Sequence, residues 1–291
     1  MVFRKILFQS LLFFCTVQVA CDVSLLQHFQ RAGYVEILNN YHNAEAFDSL
    51  YVLFDEMIEF LQSNPFWTHK LNSAKERFIR SKNRHLYRTD FFGLYDESNR
   101  KDRNQVAFYY SIHFHEFILT YLPEINRIPS IINFLHACLD MQKPYGTLIE
   151  NAALELNLSS IFSSECGSPP ILLKVVKYLP AYNASRPHYD GSAFSLFLDS
   201  TDNQSLLLSP YKSSFSSNDF YCPLRNFPRK SIQNSLLLIP GALLTEYSIY
   251  PTPHIVIKSG KTRYATIAFA MRPHYTPLKN DFSPLPVISI E

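Results

Sequence analysis

The sequence predicts an α+β fold in which a mainly helical first part precedes a second part built of short strands. In the first part, apolar residues recur at helical spacing. After residue 170, short β-rich runs are separated by clusters of Asn, Ser, Gly and Pro. Many short strands at such intervals are typical of a sandwich or a barrel. The Ser- and Pro-rich stretch 159–170 lies between the two parts.

Composition limits the classes of protein to which the chain can belong. Of 291 residues, 47% are hydrophobic and only 18% are charged, so the chain has ample material for a packed core. A net charge of +2 gives no electrostatic argument for nucleic acid, and we expect no such partner. The five cysteines form no C-x-x-C pair, which argues against a zinc knuckle and a disulfide framework.

The apolar N-terminal segment, residues 1–21, has two interpretations. Two basic residues followed by an apolar run resemble a secretory signal, although Gln18 stands where a cleavage site has a small residue. Alternatively, "TVQVA" is a first strand that enters a helix. The run is too short for a comfortable bilayer crossing, so we expect no stable membrane span.

Residues 22–165 form the mainly helical region. Ser24 is a plausible N-cap, and the helix that it starts should end near Gly33. "YVEIL" then alternates like a strand. "FYYSIHFHEFILTYL" and "IPSIINFLHACLDMQ" are predicted as helices. In "AFDSLYVLFDEMIEFLQ", six apolar side chains share one helical face: Phe47, Leu50, Leu53, Phe54, Ile58 and Leu61.

Residues 170–275 contain the predicted strands, and residues 276–291 form a Pro-rich tail. We expect "SPYKSSFSSNDFYCP" to be a long loop that shapes substrate access. The strand candidates are "ILLKVVKYL", "SAFSLFLD", "QSLLLSP", "SLLLIPG", "HIVIKSG" and "RYATIAFAM".

Three of the polar residues in this region form a candidate metal site. His188 and Asp190 are two positions apart at the start of a strand, so their side chains face the same side. His254 begins another strand 64 positions after Asp190. Two histidines and one carboxylate form the facial triad of non-haem Fe(II) oxygenases. By itself the H-x-D pair is a weak signal, because such pairs often occur by chance.

Arg263 follows His254 by nine positions, within "RYATIAF". On a strand beside the metal, its guanidinium would project into the same cavity and bind a carboxylate through two hydrogen bonds. The alternative is a surface arginine paired with a nearby acid. "IHFHEF" holds His113, His115 and Glu116, but positions i and i+2 of a helix face different ways, which argues against a second metal site.

Four segments resemble the isopenicillin N synthase-like family of 2-oxoglutarate- and Fe(II)-dependent dioxygenases. "KYLPAYNASRPHYDGSAFSLFL" is similar to that family's H-x-D segment, and "SLLLIPGALLTEYSIYPTPHIVI" to its glycine-containing strand and distal histidine. "RYATIAF" resembles its arginine strand, and "LLQHFQRAGYVEILNN" its N-terminal opening. The resemblance extends from about residue 22 to residue 272. It implies a double-stranded β-helix, or jelly-roll, core.

The resemblance also implies roles for individual residues. It implies that His188, Asp190 and His254 bind Fe(II), that Arg263 binds the distal carboxylate of 2-oxoglutarate, and that the Tyr178 hydroxyl contacts the co-substrate or the substrate. Two positions depart from the family pattern. Ala265 stands where the family has the serine of its Arg-x-Ser motif, and Leu179 interrupts the tyrosine–proline pair. Thr266 does not replace that serine, because neighbouring strand residues face opposite sides.

The implied activity is O₂-dependent oxidation of a small molecule, by hydroxylation, desaturation or ring closure, with release of succinate and CO₂. Two alternatives remain: an oxidase with the same iron site that does not use 2-oxoglutarate, and a catalytically silent jelly-roll binding module. A cytoplasmic location is expected, because reduced iron and 2-oxoglutarate are most available in a reducing cytosol. The alternative is a secreted or lumenal protein that is exported through an N-terminal signal peptide.

Overall fold

The computed structural model describes most of the region between residues 24 and 271. The predictions for the N-terminal segment and the Pro-rich tail lie outside the described residues, as does most of the predicted loop after Ser209. No helix in the described part is long and apolar enough to cross a bilayer. The described ranges are 24–38, 43–81, 87, 89–98, 104–158, 170–180, 187–202, 205–211, 235–257 and 260–271.

Helices dominate the first part, as predicted. The first begins at Ser24, whose side-chain oxygen accepts a hydrogen bond from the Gln27 N–H, and it ends at Gly33 with φ +80°. Both predicted boundaries are therefore confirmed. The α-helices are α1 (Leu25–Ala32), α2 (Ala44–Ser63), α3 (Pro65–Arg80), α4 (Ile112–Tyr121), α5 (Pro129–Gln142) and α6 (Tyr145–Glu155). Pro123–Arg127 and Ala242–Tyr247 form 3₁₀ helices.

The strands lie in both parts of the chain. β1 (Val35–Leu38) confirms the strand predicted at "YVEIL". The prediction of one helix over "FYYSIHFHEFILTYL" is wrong at its start, because Phe108–Tyr110 belongs to a strand. The helix begins after Ser111, whose hydroxyl accepts from the Phe114 N–H. The other strands are β2 (Gly93–Asp96), β3 (Gln105–Tyr110), β4 (Ile171–Tyr178), β5 (Phe194–Ser200), β6 (Leu206–Leu208), β7 (Ser235–Pro240), β8 (His254–Val256) and β9 (Arg263–Ala270).

Seven of these strands form one antiparallel sheet in the order β1-β7-β5-β9-β4-β3-β2, and β6 pairs with β8 in a second sheet. The strands from the first part of the sequence join the large sheet at both of its ends. β1 pairs with β7, and β3 pairs with β4. The two parts of the sequence therefore build one sheet together.

The two faces of the large sheet have different neighbours. Alternate residues of its strands pack with the helices in the main core, which includes Phe54, Phe108 and Phe134. The other alternate residues, including Val176, Leu237 and Ala265, form a smaller apolar cluster with β6 and β8. We call these the helix face and the cavity face.

Polar contacts also bind α2 to the helix face. The Tyr51 hydroxyl donates to Asp199 Oδ2 over 2.8 Å and accepts from the Thr266 hydroxyl over 3.1 Å. Asp55 of α2 forms an ion pair with Lys177 of β4, with Nζ and Oδ1 2.9 Å apart, and accepts a hydrogen bond from the Tyr264 hydroxyl of β9. The polar side chains that face α2 thus have partners within the protein.

Candidate metal centre

The three residues predicted as metal ligands lie together. Asp190 Oδ1 is 3.6 Å from His254 Nε2 and 3.8 Å from His188 Nε2. One potential ligand atom from each residue lies within 4.8 Å of the others. His254 is 3% exposed and His188 40% exposed, so the site has a buried side and an open side.

Backbone pairing aligns the two histidines. His188 precedes β5, and His254 begins β8. Each backbone N–H donates to the carbonyl of the other residue over 3.0 Å. Their ring centroids are 4.2 Å apart as a result. The short backbone bridge between these two chain segments therefore brings two of the three candidate ligands together.

Gly241 permits the turn that carries Asp190. The Asp190 carbonyl accepts from the Ala242 N–H over 2.9 Å, and the Gly241 N–H donates to the Ala193 carbonyl over 2.8 Å. A Cβ atom at position 241 would lie 2.1 Å from the Ser192 carbonyl oxygen. Only glycine allows β7 to approach the H-x-D segment so closely.

A second hydrogen bond orients the buried histidine. His254 Nδ1 lies 3.1 Å from the Thr252 carbonyl oxygen. With the Nδ1 proton donated to that carbonyl, Nε2 keeps its lone pair for a metal. The Thr252 hydroxyl in turn donates to the Gly33 carbonyl at the end of α1. The N-terminal helix therefore supports the orientation of a metal ligand.

The Asp190 carboxylate is buried among cationic and polar groups. Burial acts to raise its pKa, but the His254 and His188 imidazoles, the Ser195 hydroxyl and the Lys174 ammonium together hold the pKa below its usual range. Its Oδ2 atom has no hydrogen-bond partner among the described residues. A buried, ionised and unpartnered oxygen beside two imidazole nitrogens fits a divalent transition metal such as Fe(II).

A cavity of about 370 Å³ adjoins the three ligands. Its walls come from the cavity face of the large sheet and from the segments that hold the ligands. Most wall residues are apolar or aromatic, which is typical of a small-molecule site. Besides the three ligands, the lining residues are Thr89, Phe91, Gln105, Tyr109, Leu172, Lys174, Tyr178, Tyr189, Gly191, Ser192, Phe197, Val256, Ile267, Phe269 and Met271.

Arg263 lies on the cavity face of β9, opposite Tyr178 of β4. Its guanidinium carbon is 5.0 Å from the centroid of the Tyr178 ring, and Tyr178 itself lines the cavity. Arg263 is 2% exposed, and its terminal nitrogens donate to the Ser205 hydroxyl and the Ile257 carbonyl. Its Nη1 also lies 3.4 Å from Asp202 Oδ2, so the arginine has an acidic partner, as the alternative interpretation predicted, but it is buried and not on the surface. Its Nε is buried and has no partner in the described part of the chain.

Solved structures share this fold. The dioxygenase for auxin oxidation 1 from Arabidopsis thaliana, solved as a binary complex with 2-oxoglutarate, has a TM-score of 0.57 and 16% identity over 86% of this chain and 87% of that one. JOX2, solved with 2-oxoglutarate, Fe and JA, has a TM-score of 0.50 and 14% identity over 91% of this chain and 72% of that one. No protein-family model and no curated protein sequence matches. The chain has the fold of 2-oxoglutarate-dependent dioxygenases.

The departure from the Arg-x-Ser pattern has a structural counterpart. Ala265 lies in the apolar cluster on the cavity face, whereas the Thr266 hydroxyl points to Tyr51 on the helix face. Thr266 therefore does not reach Arg263, as the alternation of strand residues predicted. The hydroxyl that contacts Arg263 comes instead from Ser205, which precedes β6.

Lys174 and Tyr189 are among the polar residues of the cavity that sequence reasoning missed. Lys174 lies within the apolar run "ILLKVVKYL", where a lysine on a buried strand is itself a signal. Tyr189 stands between the two residues of the H-x-D pair. Its hydroxyl is buried without a partner among the described residues, and burial together with Tyr211 raises the pKa of Tyr189 to about 12.

The histidines of "IHFHEF" do not join one site. His113 Nδ1 lies 2.7 Å from the Tyr87 hydroxyl, whereas His115 Nδ1 lies 2.9 Å from the Tyr110 hydroxyl. Among the described residues, only the group of His188, Asp190 and His254 brings three such side chains close enough to share a metal.

Proposed function

We propose that the chain is an Fe(II)- and 2-oxoglutarate-dependent dioxygenase that oxidises a small molecule. The observation that carries this proposal is the His188–Asp190–His254 group, which opens onto a mostly apolar cavity. We also interpret the large sheet and the β6–β8 sheet as the two layers of a jelly-roll, with the candidate metal centre between them.

In this proposal His188, Asp190 and His254 would hold Fe(II) beside the cavity. Bound Fe(II) and 2-oxoglutarate supply the activation of O₂ that oxidises the substrate and releases succinate and CO₂. The protein positions the reactants. Thr252 holds the His254 ring, the Ser195 hydroxyl favours the ionised form of Asp190, and the apolar walls exclude water from the reacting atoms.

Arg263 and Tyr178 are the proposed partners of 2-oxoglutarate. Both residues lie in one cross-strand row of the cavity face. The Nε of Arg263 offers a buried, charged donor to the distal carboxylate, and the guanidinium lies beside Tyr178, which lines the cavity. Such a charge-assisted hydrogen bond is stronger than a neutral one.

The second candidate is an oxidase that uses the same iron site without 2-oxoglutarate. Two observations favour it: Ala265 carries no hydroxyl, and both terminal nitrogens of Arg263 already donate within the protein. A catalytically silent binding module is less consistent with three metal ligands that lie together beside a cavity.

Anaerobic titration with Fe(II) and then 2-oxoglutarate tests the proposal. The visible charge-transfer band of the iron–2-oxo acid chelate should appear at one equivalent of each. Succinate release under air should then depend on both. His113→Ala, a change outside the site, is the matched control and should keep the band. Iron binding without the band would support the oxidase.

A further inference from the structure

The cavity contains one lysine. Lys174 and Asp190 are the only members of the Lys, Arg, Asp and Glu classes among the described residues that line the cavity. Lys174 lies on β4 with its side chain on the cavity face, like those of Leu172 and Tyr178. The residue is half-buried, and its Nζ is 5.7 Å from the centroid of the Tyr109 ring.

Lys174 forms no ion pair with a described residue, since no carboxylate there comes within ion-pairing distance of its Nζ. The Asp190 carboxylate of the same cavity interacts with it only at longer range. Lys177, three residues along the same strand on the helix face, forms an ion pair with Asp55. An ammonium group against apolar and aromatic walls loses hydration, and that loss is offset only by an opposite charge or by hydrogen bonds. The unpaired lysine therefore favours an anionic ligand.

The sheet register places Lys174 beside the metal ligands. Lys174 pairs with Ile267 of β9, and Ile267 pairs with Phe197 of β5. The Phe197 ring centroid lies 5.9 Å from that of His254. Lys174 therefore belongs to the cross-strand row next to the metal site.

Arg263 lies in another row, opposite Tyr178. Tyr178 is four residues from Lys174 on the same strand, or about 13 Å at the usual rise per residue. A distal carboxylate held by Arg263 would therefore lie in a different cross-strand row from Lys174. The two cations are thus placed to bind different carboxylates.

We propose that Lys174 binds the carboxylate of the primary substrate, which is a small carboxylic acid with an apolar body. The Lys174 ammonium binds the negatively charged carboxylate. The rest of the substrate packs against cavity walls that include Phe91, Leu172 and Phe269. A volume of about 370 Å³ is at the small end of ligand sites, so the acid must be compact. This inference rests on the proposed function and names its substrate class.

Binding of matched acids and amides tests the inference. The probes are phenylacetate, 3-phenylpropionate and cyclohexylacetate, each compared with its neutral amide. Calorimetry is performed under anaerobic conditions on the full chain, first without iron and then with Fe(II) and 2-oxoglutarate bound. The wild-type protein should bind at least one acid about tenfold or more tightly than its amide, as expected for a charge-assisted contact.

Variants at position 174 test whether the preference for the acid over the amide depends on Lys174. Lys174→Met should abolish the preference for the acid and leave the affinity for the amide unchanged. Lys174→Gln tests the same point if the methionine variant folds poorly, and Lys174→Arg should keep a preference. Lys177→Met is the matched control, since it removes a lysine from the other face of the same strand. The inference is overturned if no acid is preferred by the wild type, or if both neutral Lys174 variants keep the preference.

A 2-oxoglutarate titration on the same proteins shows whether Lys174 binds the carboxylate of the primary substrate or that of 2-oxoglutarate. Lys174→Met should leave the co-substrate affinity within about threefold of the wild type, whereas Arg263→Met should weaken it by about a hundredfold. The reverse pattern would assign Lys174 to the co-substrate and overturn the inference. If the chelate band never forms while the acid preference still depends on Lys174, the proposed function fails and the substrate-class inference stands.

Discussion

The two faces of the large sheet differ in how their lysines are paired. On the helix face, Lys177 is paired with Asp55, which also accepts a hydrogen bond from Tyr264. On the cavity side, Lys174 forms no ion pair among the described residues, and Asp190 Oδ2 has no hydrogen-bond partner there. Since buried polar groups are normally paired, unpartnered groups that lie beside a cavity are candidates for contacts with a ligand.

The largest expected effect comes from removing a metal ligand. Asp190→Ala or His254→Ala should abolish tight Fe(II) binding, because a three-ligand site loses both charge and geometry with any one ligand. Iron stoichiometry after gel filtration measures this loss, and the urea midpoint shows whether the fold survives. Wild-type iron content in both variants would disprove the assignment of the ligands.

Arg263→Ala should affect the co-substrate and spare the metal. Losing a buried charge-assisted pair costs about 2–5 kcal/mol, or roughly a hundredfold in 2-oxoglutarate affinity. Iron binding should remain stoichiometric. The dependence of the chelate band on 2-oxoglutarate concentration measures the effect. An unchanged dependence supports the oxidase that does not use 2-oxoglutarate.

Asp55→Ala tests the helix face. The change leaves Lys177 and the Tyr264 hydroxyl without their shared acceptor, so the free energy of unfolding should fall by about 1–3 kcal/mol. Iron binding and the charge-transfer band should persist at temperatures where the variant is folded. Urea unfolding measures the loss. A variant of unchanged stability would contradict the view that this face contributes mainly to stability.

The smallest expected effect is a pH dependence that arises in the helical region. Burial, with a contribution from His136, lowers the pKa of His115 to about 4. The unfolded chain therefore takes up this proton at higher pH than the folded chain does, and stability falls as pH decreases from about 6.5 towards 4. Between pH 7 and pH 5, the titration of His115 should lower the free energy of unfolding by about 2 kcal/mol. In His115→Gln, urea unfolding should show a smaller decrease in stability over that interval.

Local signals in the sequence predicted much of the fold. Ser24, Gly33 and the apolar face of α2 mark boundaries and burial that the structure confirms. The prediction failed where tertiary pairing overrides local pattern. Phe108–Tyr110 reads as the start of a helix, but pairing with β4 makes it a strand. The spacing of apolar residues over only three positions does not distinguish a helix from a strand.

The candidate site was predictable only where residue types are diagnostic. The H-x-D pair and His254 combine into a pattern with a known chemistry, and the structure brings them together. Lys174 gave no comparable signal, because its role depends on which strand face lies toward the cavity. Ser205 was also beyond prediction, since its contact with Arg263 spans 58 residues and depends on the path of the chain before β6.

The hydrogen bond from Thr252 to the Gly33 carbonyl has a consequence for how the protein matures. It joins residues 219 positions apart, so it forms only after the beginning and the end of the fold have met. Contacts of such long sequence separation form slowly, because closing the loop costs entropy before the contact stabilises it. The fully oriented His254 is therefore a late product of folding. In a chain that has not yet formed this contact, the segment whose carbonyl positions the His254 ring is not yet joined to the end of α1, so the candidate ligand set is completed only after the sheet assembles.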